Sequence, residues 1–135
     1  MRLRQAHAIF EAVTTLEAAG LGFELHPFHH DFPGNRRDLA RDHMSGGTEI
    51  SDTDDPEGSR ARAYNVDLLP GPDDDTVEAC LTLGIGPDPE CLLYSKYSVA
   101  LDPNEDERFR GLVGAAIAEK IVDTVRKHEQ RITRT

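Results

Sequence analysis

The sequence predicts an α+β fold, in which a three-stranded meander, preceded by a short N-terminal edge strand, is packed by an N-terminal helix and a long C-terminal helix. Three observations carry this. Apolar residues recur at helical spacing near both ends of the chain, they alternate with polar ones through residues ~60 to 101, and the alternating runs are separated by dense clusters of turn residues. At 135 residues the chain fits one domain spanning 1–135.

The first helix is expected over about residues 4 to 19. Leu3, Ala6, Ile9, Phe10, Val13 and Leu16 form its apolar stripe, and Ala19-Gly20-Leu21-Gly22 supplies a glycine stop. Gly22 to His29 reads as a short strand with Phe23 and Leu25 on one face. Pro27 removes a ladder donor, so this strand belongs at an edge or ends there. A short helix is expected around 36 to 44, started by Asn35-Arg36-Arg37-Asp38. Residues 45 to 59 hold one large apolar side chain, Ile50, among Gly, Asp, Ser, Thr and Pro. They read as a long mobile loop, and loops this long are often functional or become ordered on a partner.

The meander follows. Tyr64, Val66 and Leu68 alternate with polar neighbours, as do Val77, Ala79, Leu81, Leu83 and Ile85, and then Leu93, Tyr97, Val99 and Leu101. The joints are Pro70 to Asp75 and Gly86 to Glu90. Apolar residues meet when Ile85 pairs with Cys91, Leu83 with Leu93 and Val77 with Val99, and when Leu68 pairs with Val77 and Tyr64 with Leu81. Asp102 and Pro103 then start a helix to about residue 130, with Phe109, Leu112, Val113, Ala116, Ile117, Ile121 and Val125 as its buried stripe. Being longer than any strand, it is expected to overhang the sheet, fray, or meet a neighbouring subunit.

Composition narrows the function classes. A net charge of -10 argues against a phosphate-backbone binder. Lys120, Arg126, Lys127, Arg131 and Arg134 instead complement the negative end of their own helix. No apolar run approaches the roughly 18 residues of a membrane span, and the N-terminus lacks the apolar core of a secretory signal, so a cytoplasmic location is expected. Three lysines against many more arginines, with Asp exceeding Glu, is what a GC-rich genome gives and a salt-adapted one resembles.

Few residues suggest chemistry. His26, His29, His30 and His43 are the right ligands for a divalent metal, without the rigid spacing of a known motif. They carry the alternative reading of a metal-dependent enzyme. Asp52 to Gly58 fails the calcium-loop pattern because Pro56 sits at a ligand position. Cys80 faces Lys96 in the inferred register, with no histidine placed beside it, and lies too far from Cys91 for a disulfide. The sheet face away from the helices would show Leu92, Tyr94 and Lys96, and the last helix would show Arg126 and Arg131. These five are the expected interface residues.

With no convergent polar site and no cofactor implied, the leading expectation is a non-catalytic oligomeric assembly or adaptor protein with a protein partner or a second copy. Size, acidity and element order are similar to small ring-forming neck or tail-completion proteins of tailed viruses, which would imply a virion location. Type III secretion chaperones are similar as small acidic α+β proteins but carry a helix between sheet strands where this chain runs from one hairpin into the next, and toxin-neutralising immunity proteins are a third member of the same functional class.

Overall fold

A computed structural model describes residues 3–27, 44–51, 61–86, 93–102, 104 and 107–133, the last helix in its side chains from 112 to 132. Helix α1 (Leu3–Ala18) is followed by strands β1 (Glu24–Pro27), β2 (Met44–Ile50), β3 (Arg62–Pro70), β4 (Thr76–Ile85) and β5 (Leu93–Ala100), then helix α2 (Glu107–Thr133). The strands form one antiparallel sheet in the order β1-β2-β3-β4-β5, with β1 and β5 at its edges. The α+β class and its two terminal helices are as expected, but the sheet has five strands rather than three plus an edge.

The additional strand overturns part of the expected loop at 45 to 59. Ser45 to Ile50 belong to β2, which lies between β1 and β3. Its composition argues against a strand, yet it is laddered on both sides, and those ladders outweigh propensity. Gly46 is required there, because a Cβ at that position would collide with the Glu24 carbonyl oxygen of β1. Thr48 further donates from Oγ1 to the Leu21 carbonyl at 2.6 Å, tying β2 to the segment that leaves α1. The expected helix at 36 to 44 falls, apart from Met44 in β2, outside the described residues, as does the rest of the loop beyond Ser51.

Between β4 and β5 the register is the expected one, with Leu83 opposite Leu93, Ala79 opposite Tyr97 and Val77 opposite Val99. Between β3 and β4 it is displaced by two residues. Leu68 faces Ala79, Val66 faces Leu81 and Tyr64 faces Leu83. Such a slip leaves every side chain on its face, so apolar matching cannot select between the two. The turn selects it: β3 continues through Pro70, which faces Val77, and Gly71 N–H donates to the Thr76 carbonyl at 2.8 Å.

Both helices lie on one face of the sheet, over Tyr64, Val66, Leu68, Val77, Ala79, Leu81 and Leu83. Five strands between them make α1 and α2 run parallel: Gly114 packs against Ala8 near their starts, and Arg126 Nη2 donates to the Ala19 carbonyl at 3.3 Å further along. Small residues Ala8, Ala12, Gly114 and Ala118 allow this approach, and they rotate both buried stripes away from the expected ones. Gln5, Ala8, Ile9, Ala12, Val13 and Leu16 are buried in α1. Phe10 and Leu3, expected inside, are 64% and 67% exposed. In α2, Ile117, Ile121 and Val125 are buried as expected, together with Ala118 and Val122, whereas Leu112 and Ala116 face outward. The side chain of Phe109 lies outside the described residues. Asp102 accepts from Asn104 N at 2.9 Å ahead of the helix.

Polar contacts pin the two ends of the helical layer. Gln5, itself buried, donates from Nε2 to the carbonyls of Asp73 and Thr76 at 2.9 and 2.8 Å, and Arg4 pairs with Asp75. The far end of α2, expected to overhang, fray or meet a neighbouring subunit, is tied to the sheet through residue 129 and runs on to Thr133. Arg62 donates from Nε and Nη2 to the two Glu129 carboxylate oxygens at 2.6 and 2.7 Å.

Candidate functional site: the open sheet face and the β5 edge

The strand registers align residues into rows across the face turned away from the helices. One row runs His26, Ser45, Asp67, Cys80, Lys96; the next runs Glu24, Gly47, Asn65, Thr82, Tyr94. Among the described residues no helix or strand covers this face. Its side chains grade from half-buried at Asp67, Glu78, Cys80 and Thr82 to exposed at Tyr94, Lys96 and Ser98 on β5. Tyr94 is 63% exposed, the largest open side chain of the sheet.

Two contacts on the face join β4 to β5. Lys96 Nζ lies 3.3 Å from Glu78 Oε1, and Cys80 Sγ lies 4.0 Å from the Tyr94 hydroxyl. The hydrogen bond with Cys80, together with the sulfur's charge when ionised, holds the Tyr94 proton more tightly than an ordinary phenol does. Strands are spaced about 4.8 Å apart, so His26 stands roughly 14 Å from Cys80, three strands away. A nucleophilic thiol needs its base within hydrogen-bond reach. Of the described residues on this face, His26 is therefore out of reach of the Cys80 thiol.

Of the predicted site residues, His26, Tyr94, Lys96, Arg126 and Arg131 are described. His26 is exposed at the β1 edge, while His29, His30 and His43 lie outside the described residues, as do Cys91 and Leu92. Among the described residues no three His, Cys, Asp or Glu side chains come together as a metal site. Tyr94 and Lys96 share the open face. Arg126 and Arg131 stand on α2, in the opposite layer, so the five expected interface residues do not form one patch. Arg126 borders an open groove of about 500 Å³ between the helices, with Thr14, Thr15, Glu119 and Asp123. No helix among the described residues is long and apolar enough to cross a membrane.

One cluster was not anticipated. Beneath the end of α2, Tyr64 donates its hydroxyl to Glu129 Oε2 at 2.5 Å and lies 2.8 Å from His128 Nδ1, while Glu129 also accepts from Arg62. Tyr64 is fully buried and Arg62 is 2% exposed. Burial first, then the Glu129 hydrogen bond and charge, push the Tyr64 phenol far above its ordinary range. Tyr64 and Arg62 are buried while His128 and Glu129 are half-buried, and their pairing ties the end of α2 to β3 as a clamp. The signal in the sequence is parity: Arg62 shares the apolar face of Tyr64 and Val66, and a charge there requires a partner. Comparison with known proteins finds no similar family model, curated protein or solved structure for this chain.

Proposed function

We propose that the protein is a non-catalytic assembly or adaptor module that acts by binding protein through its sheet. One observation carries this: among the described residues a five-stranded sheet is covered by helices on a single face, and its other face ends in the exposed Tyr94 and Lys96 of the edge strand β5. Antiparallel sheets tolerate one solvated face, but an exposed aromatic beside a long edge is what strand-adding and face-docking partners use. The reactive groups of the chain support the same reading. Among the described residues, Tyr64, His128, Glu129 and Arg62 are bonded to one another, and Cys80 has no histidine beside it.

The test is light scattering on the purified chain, alone and as recovered from its native host. A defined oligomer or a stable hetero-complex is expected. A strict monomer without a co-purifying protein counts against the reading. Stoichiometric bound metal that is lost in His26→Ala would replace it with the metal-dependent enzyme.

A further inference from the structure

The two edges of the sheet are built differently. β1 is four residues long and ends in Pro27, which cannot donate to a further strand. β5 runs for eight residues, Leu93 to Ala100, without proline or glycine. Among the described residues nothing is laddered to its outer side. Its helix-side residues Leu93, Ser95, Tyr97 and Val99 are all half-buried, whereas their β4 partners Leu83, Leu81, Ala79 and Val77 are at most 2% exposed. Apolar surface therefore continues past the last strand with only partial cover.

Charge says what could add to it. The chain carries -10, so two copies repel unless they meet where acids are absent. Glu24 stands on β1, Glu49 on β2, Asp67 on β3 and Glu78 on β4, while β5 has no carboxylate and one lysine. Building on the assembly reading above, we infer that β5 pairs with β5 of a second copy, antiparallel about a two-fold axis, to give one continuous ten-stranded sheet.

The register follows from side-chain parity. Both open faces must lie on the same side, so a residue must sit on the axis facing itself. Lys96 on the axis would set two ammonium groups directly opposite, which is unfavourable. Centring on Ser95 or Ser98 shortens the ladder. Tyr97 on the axis pairs Lys96 with Ser98, Tyr94 with Ala100 and Ser95 with Val99, and opposes no like charges. It also places Lys96 of each copy in the same row as Glu78 of the other.

Sedimentation equilibrium of the full chain tests this, with protein up to roughly 100 µM, enough to populate a dimer of micromolar Kd. Species of twice 14.9 kDa are expected. Ser98→Lys, an exposed change that faces Lys96 twice across the axis, should weaken dimerisation roughly ten-fold. On a Cys80→Ser, Cys91→Ser background, Lys96→Cys mixed with Ser98→Cys should form a covalent dimer on mild oxidation, far more than either variant alone. A dimer that ignores Ser98→Lys and lacks that cross-link overturns the β5 pairing. A monomer that co-purifies with another protein also overturns the pairing while leaving the adaptor reading intact, and a monomer with no partner overturns both.

Discussion

Glu129→Gln is the most informative single change, because it keeps the shape of the clamp and removes its charge. Arg62 would remain 2% exposed beneath α2 without the Glu129 carboxylate that accepts from its Nε and Nη2. Breaking a fully buried ion pair costs roughly 3–5 kcal/mol. The Glu129 side chain keeps 19% of its surface in solvent, and that screening lowers the expectation to about 2–3 kcal/mol. For a domain of this size that is a fall in Tm of about 8–10 °C. Urea unfolding followed by far-ultraviolet circular dichroism reads the free energy. Replacing both partners, as Arg62→Met with Glu129→Leu, should restore most of the loss, since an apolar pair is often neutral where a half-pair is not. If Glu129→Gln unfolds within about 0.5 kcal/mol of the parent, the pair is solvated in solution and the clamp argument fails.

The same cluster sets an alkaline limit. Folded Tyr64 holds its proton more tightly than the unfolded chain, where the phenol has its ordinary value of 10.0. Its contribution is intact below pH 10 and is lost as pH rises above it, at about 1.4 kcal/mol per pH unit. Tyr64→Phe should therefore flatten the alkaline fall in unfolding free energy between about pH 10 and 12, and an unchanged slope would refute the burial argument. Gly114→Val forces a side chain into the Ala8 backbone, separating two parallel helices, and should cost about 1–3 kcal/mol by chemical denaturation. Phe10→Ser, at a 64% exposed position, should change stability by less than about 0.5 kcal/mol; a larger loss would place Phe10 in a contact.

What the sequence discloses divides along physical lines. The meander is legible because period-two alternation survives wherever one face is buried, and the β4–β5 register follows from it outright. The β3–β4 register does not, since a two-residue slip preserves faces and only the hydrogen bonding around Gly71 decides. Strand β2 is hidden because Gly46 and Gly47 are placed for the approach of neighbouring backbones, and hydropathy carries no record of that. The helix stripes are misread for the same reason. Counting large residues selects Phe10 and Leu112, whereas two helices lying side by side select Ala8, Ala12, Gly114 and Ala118.

Function follows the same division. A catalytic site would show as chemical types, and the two groupings that do show, the histidines and Cys80 with Lys96, are not assembled into one by the described residues. A contact surface is defined by what is absent, and each absence needs the fold to become visible. That β5 lacks a carboxylate means nothing in a list of 135 residues. It acquires meaning once β5 is, among the described residues, an edge of a sheet whose other four strands each carry an acid. On the pairing proposed above, the carboxylates of the other four strands would also direct where two copies meet.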